Sequence, residues 1–312
     1  MGNTIDAVVP LVEKDFERFL ILKASLDRNF KDLGRCFVVV PERSVNKARE
    51  YVDDVRYVVL SEEEVVPEFR YFKKMPGIFR RMPRNLKKWP DWYKAQLPGW
   101  YKQQVIKLAI SDFVDSEFYL TLDADVICVK EVSFPDLVKE GKVMSRRTRR
   151  DLHPEWYKWA ERILGVKRSG WTHGVTPALL STEAMSELKE YVARRDPVVF
   201  KALARITPSR MAISSYFTGW RSCLLRQIPW TEYALYNTFL EATGSFDQYH
   251  FDGGEYSIYS HSVWNAEDFE KWDPADSFFG EGNFFFIVIQ STSGASVEDV
   301  KVKLHAYIDL NL

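Results

Sequence analysis

EFYLTLDADVICVK, residues 117–130, carries two acids, Asp123 and Asp125, at the end of an apolar run. The run reads as a buried strand, and in a strand residues i and i+2 point to the same side. A turn beginning at Asp123 therefore brings both carboxylates towards one point. Two ionised carboxylates that close repel each other unless a cation sits between or beside them. A hard divalent ion with oxygen ligands, Mn²⁺ or Mg²⁺, answers that cost, above all with a diphosphate completing its shell. The alternative is that Asp123 caps the turn and Asp125 is solvated. The two acids decide the fold only together with what surrounds them.

Upstream, IDAVVPLV (5–12) is a short strand ended by proline, and EKDFERFLILKASLDRNF (13–30) spaces Phe16, Phe19, Leu22 and Leu26 as a helix does. RCFVVVPE (35–42) is a second strand, NKAREYV a helix, and RYVVLSEEEVV (56–66) a third strand. GWYKQQVIKLAISDFV (99–114) reads as the helix that feeds the quoted stretch. Strand–helix–strand at this spacing predicts a right-handed parallel α/β sheet with function at the carboxyl ends of its strands. The turn after the first strand, PLVEKD, has no glycine fingerprint, which argues against a dinucleotide-binding Rossmann domain, a P-loop and a nucleotidyltransferase loop. Amphipathic helices are expected at 155–165 and 182–194. Another helix is expected within 225–244, capped by Thr231 and closed by Gly244. The tail reads as a strand, 284–292, and a helix from 297.

The chain has 312 residues, 46% of them apolar and 28% charged, with a net charge of −1. That composition describes an ordinary globular protein and gives no global reason for nucleic-acid binding. The aromatic share is 15%, with 10 Trp, enough to line a site as well as fill a core. Cys36, Cys128 and Cys223 have no zinc-like spacing and read as buried free thiols. The start, MGNTIDAVVP, lacks the regions of a signal peptide, and no apolar run is long enough to span a bilayer, so a cytoplasmic protein is expected. No repeat or linker divides the chain, so one domain over 1–312 is expected, with a nucleotide half to about residue 130 and an acceptor half beyond it. Residues 70–94 break the pattern, with nine cations against the single acid Asp91. They read either as a solvated loop or as a cationic, aromatic lid meeting a phosphate-bearing ligand or an anionic membrane surface.

LTLDADVICV resembles the DxD motif of GT-A-fold nucleotide-sugar glycosyltransferases. VVPLVEKD near the start, GWYKQQVIKLA before LDAD, and TEYALY downstream extend the likeness over roughly residues 5–295. Together they resemble a bacterial and viral family of predicted glycosyltransferases long described only as a domain of unknown function. The resemblance implies a GT-A (Rossmann-like) α/β fold, a mostly parallel central sheet flanked by helices. It implies a nucleotide-sugar donor, with UDP as the expected nucleotide, a glycan or glycoconjugate acceptor, and Mn²⁺ or Mg²⁺ held by Asp123 and Asp125.

By position, the resemblance puts Val9, Pro10 and Glu13 at the base and ribose, and Gln104, Lys107 and Ala124 on the donor side. Lys107 is also open to reading as a solvated helix lysine. A C-terminal histidine would be the third metal ligand. His261 is the best placed, ahead of His250 and His305. Glu232, at the start of a helix, reads either as a cap or as the base that deprotonates the acceptor hydroxyl with inversion. Trp171, His173 and Tyr233 would shape the acceptor site. The rival expectations are a sugar-nucleotide nucleotidyltransferase and a non-catalytic membrane-surface module built on 70–94.

Overall fold

The computed structural model describes residues 3–52, 54–72, 99–195, 219–225, 227, 230–254, 257–260 and 262–310. The basic stretch beyond residue 72, and His261, lie outside the described residues.

Four parallel strands form the centre of the main sheet: β1 (Ile5–Pro10), β2 (Leu33–Val40), β3 (Tyr57–Ser61) and β4 (Phe118–Thr121). Their order is β4-β1-β2-β3, and Ala178–Ser181 adds an antiparallel edge beside β4. The fold class is therefore α/β with a mostly parallel central sheet flanked by helices. The β-branched runs of β1 and β2 form strands because they are buried on both faces, as parallel sheets require. Their side chains alternate between two cores. Val8, Phe37, Val39 and Tyr119 pack with the helices Gly99–Ala109, Thr182–Arg194 and Glu232–Thr243. Ala7, Val9, Val38 and Leu120 pack on the other face with Phe16, Phe19, Leu22 and Leu26 of the helix Phe16–Asn29.

Two expected elements differ. The third strand ends at Ser61 rather than continuing to 66, because Ser61 and Glu64 form a capping box that starts a one-turn helix, Glu62–Val65. The quoted stretch is two strands rather than one. β4 ends at Thr121, residues 124–125 form a turn, and β5 (Val126–Cys128) leaves the main sheet to pair antiparallel with Phe286–Val288. The three cysteines are buried and form no disulfide among the described residues. Among the described residues no helix is long and apolar enough to cross a membrane.

Candidate active site

The turn between β4 and β5 opens into a cavity of about 530 Å³ at the carboxyl end of the sheet. Asp123, Ala124 and Asp125 form one part of its lining, and Pro10 at the end of β1 borders them. The helix Gly99–Ala109 sends Trp100, Gln103, Gln104 and Lys107 into the same space. That spacing, i, i+3, i+4 and i+7, is one helical face. It runs from Trp100, 43% exposed, to Lys107, 2% exposed.

Lys107 is the hub. Its Nζ lies 2.8 Å from Asp123 Oδ1, an ion pair without hydrogen-bond alignment, and 3.3 Å from Glu232 Oε1. It also donates to Thr176 Oγ1 at 2.9 Å. Burial lowers the affinity of this ammonium for its proton, but Asp123, Tyr233 and Glu232 outweigh burial and hold its pKa well above the ordinary lysine value. The Tyr233 hydroxyl bonds Thr121 and Thr176, each at 2.8 Å, which fixes the ring beside Lys107.

Glu232 opens the helix Glu232–Thr243. The cap is Thr231, whose hydroxyl accepts from Ala234 N at 3.2 Å, so the Glu232 carboxylate is not needed for capping. The Glu232 amide donates to Gln104 Oε1 at 3.2 Å, tying the two helices together. Burial raises the Glu232 pKa against the pull of Lys107, with Asp123 adding to the rise.

Asp125 accepts from Ser291 N through Oδ2 at 2.9 Å, while its Oδ1 is buried with no hydrogen-bond partner among the described residues. Burial, and then the Asp123 charge, push its pKa up to about 6. Asp6 is the instructive contrast. This buried acid on β1 takes Arg35 N on Oδ1 at 2.7 Å and Asp115 N on Oδ2 at 3.0 Å. Both of its oxygens are satisfied, as structural acids require, whereas only one of Asp125's is. Of the described charged residues in the lining, Asp15, Asp123, Asp125 and Glu232 outnumber Arg18 and Lys107 by four to two. A divalent cation matches that deficit and the orphaned oxygen, so the residues fit Mn²⁺ or Mg²⁺. Among the described residues no group of three or more His, Cys, Asp or Glu side chains is placed to hold a metal, so protein ligation beyond the aspartate pair has no described source.

The other expected site residues divide. Pro10, Gln104, Lys107, Ala124, Glu232 and Tyr233 line the cavity with the aspartates. Val9 is fully buried in β1, and Glu13 is exposed and paired with Lys47. Trp171 is covered by the guanidinium groups of Arg147 and Arg149, 4.3 and 3.5 Å from its ring centre, and does not line the cavity. His173 is buried, 3.3 Å from Glu241. His250 bonds the Tyr236 hydroxyl at 2.8 Å in the core, and His305 bonds back to Val302 O at the end of a surface helix. Neither lines the cavity.

The lining also includes residues that the sequence reading did not single out, among them Arg18, His153, Trp156, Tyr259, Trp264 and Ser291. Arg18 follows the spacing of its helix towards the end of β1, a signal the pattern of Phe16 and Phe19 masked. The others come from distant segments and carry no local signal.

No curated protein matches the sequence. Solved structures similar to the chain include mouse xyloside xylosyltransferase 1 in its apo form. Its TM-score is 0.47 at 10% identity, with 94% of this chain and 100% of that one covered. Galactosyltransferase LgtC in complex with donor and acceptor sugar analogs gives a TM-score of 0.45 at 12% identity, covering 97% of this chain and 96% of that one. At family level the match is direct: a single family model spans residues 2–311, and the chain belongs to that family, DUF6492, described as a family of unknown function.

Proposed function

We propose that the chain is a metal-dependent, inverting glycosyltransferase that moves a sugar from a nucleotide-sugar donor, with UDP as the expected nucleotide, to a hydroxyl of a glycan or glycoconjugate. The observation that carries this reading is the orphaned, buried oxygen of Asp125 beside Asp123. It lines the same cavity as the buried carboxylate of Glu232. The cavity volume is in the range of small-molecule sites, about 300–1,000 Å³.

Asp123 and Asp125 would hold Mn²⁺ or Mg²⁺, which when bound supplies charge stabilisation to the leaving diphosphate. The rest of the chemistry belongs to side chains. Lys107 is a buried lysine beside Asp123 whose pKa is held above the ordinary lysine value, suited to a donor phosphate oxygen. Glu232 takes the proton of the acceptor hydroxyl as its oxygen bonds the anomeric carbon and the bond from that carbon to the diphosphate breaks. Burial raises the proton affinity of Glu232 above that of a solvated carboxylate, and the ammonium of Lys107 pulls the other way.

The test is hydrolysis of a panel of sugar nucleotides with Mn²⁺ in the absence of acceptor. Wild type is expected to hydrolyse at least one donor, and Asp123→Ala and Asp125→Ala to lose that turnover. Turnover unchanged in Asp125→Ala, or no turnover with any donor, sinks the reading.

A further inference from the structure

The mouth of the cavity is aromatic where its floor is charged. Trp100, 43% exposed, lies 6.3 Å from Trp156 with the rings tilted by 42°. The indole of Trp156 stacks on the imidazole of His153 at 4.0 Å and 14°. All three line the cavity that holds Asp123 and Glu232. His153 holds a left-handed backbone, φ 54°, immediately before the helix Pro154–Leu164. A non-glycine residue there is strained, and such strain persists where the surroundings require it. Here it seats the imidazole against the indole and fixes the plane of the ring.

Depth sets what this wall can hold. Trp100 and Lys107 are seven residues apart on one helical face, so the wall stands about 10 Å above the charged floor. A sugar ring bound at the floor would leave a wall at that height to a further ring. The wall also lies on the acceptor side: the helix Pro154–Leu164, which carries Trp156 and follows His153, packs on the helix that Glu232 opens. The donor is expected over Pro10, Asp15 and Arg18, at the end of β1. The flat C–H face of a pyranose matches a rigid indole, which offers large contact area at low conformational cost.

We propose that Trp100, Trp156 and His153 form a stacking platform for an acceptor sugar unit beyond the one attacked, so that the acceptor is an oligosaccharide. The proposal rests on the glycosyl-transfer reading above, but its test is a binding test.

Purified full-length chain with UDP and Mn²⁺ is applied to a glycan array of mono-, di- and longer saccharides. Wild type is expected to give its signals on oligosaccharides only. Trp100→Ala and Trp156→Ala should lower them about tenfold or more, and Trp156→Phe should keep most of the signal. Trp100 is exposed, so its variant stays informative if Trp156→Ala melts early. Signals on monosaccharides alone, oligosaccharide signals untouched in both alanine variants, or silence of the wild type on every oligosaccharide overturn the platform. So does loss of a UDP-dependent thermal shift in Trp100→Ala and Trp156→Ala, which would assign the wall to the nucleobase. Array binding without donor hydrolysis would instead leave the platform standing and remove the transfer reading.

Discussion

Lys107 is the residue on which the floor of the cavity depends. Its ammonium is 2% exposed and is held by Asp123 and Glu232 together. Breaking a buried ion pair by removing one partner costs about 3–5 kcal/mol, because the other charge stays behind without compensation. Lys107→Met is therefore expected to lower unfolding stability by about that much in urea titration. Adding Glu232→Gln to Lys107→Met should return part of the loss. A Lys107→Met chain as stable as wild type would show that the buried charges do not depend on one another. Glu232→Gln alone tests a different property. It removes the proposed proton acceptor and keeps the shape, so glycosyl transfer should fall about 100-fold or more while UDP still raises the melting temperature. Transfer at the wild-type rate would retire Glu232 as the base.

At the scale of elements, the helix Glu232–Thr243 has one end that serves the cavity and one that serves only the fold. Thr231 caps the first end through Ala234 N. Thr231→Ala should cost about 1 kcal/mol and lower transfer as well, because the cap sets where Glu232 leaves the helix. Gly244 closes the other end at φ 71°, with open space where a Cβ would sit. Gly244→Ala should cost about 1 kcal/mol through backbone strain alone, with transfer rates unchanged. Equal kinetic losses in the two variants would contradict this division of roles.

Both caps are readable in the sequence because capping is local chemistry between residues a few positions apart. The parallel strands from residue 5 to 61 are readable for a similar reason: apolar runs ended by Pro10 or Pro41 announce themselves. The break after β4 is not readable, because VICV continues the apolar run of FYLTL and only its antiparallel partner, Phe286–Val288, shows that it has changed sheets. Trp171 looks as suitable for a sugar as Trp156 does. What separates them is non-local, since Arg147 and Arg149 take the ring of Trp171 while Trp156 reaches the cavity.

For the whole molecule, the proposed metal site would make the charge imbalance of the cavity couple folding, pH and metal. Asp125 has a folded pKa of about 6 against 3.8 unfolded, a rise caused by burial and by Asp123. Between those values the native chain binds more protons than the unfolded one, so its metal-free stability falls as pH rises through about 6, by roughly 2–3 kcal/mol. Binding of a divalent ion at the proposed site would have the opposite slope, because the ion needs the carboxylate ionised and would stabilise only the folded chain. The melting temperature gained with Mn²⁺ should therefore be small near about pH 5 and clearly larger near about pH 7.5. Asp125→Asn keeps the shape of the turn and removes the titration. It should flatten the metal-free pH dependence in this window and abolish the Mn²⁺ gain together. An equal Mn²⁺ gain at both pH values, or a gain that survives in Asp125→Asn, would separate the orphaned oxygen from the metal.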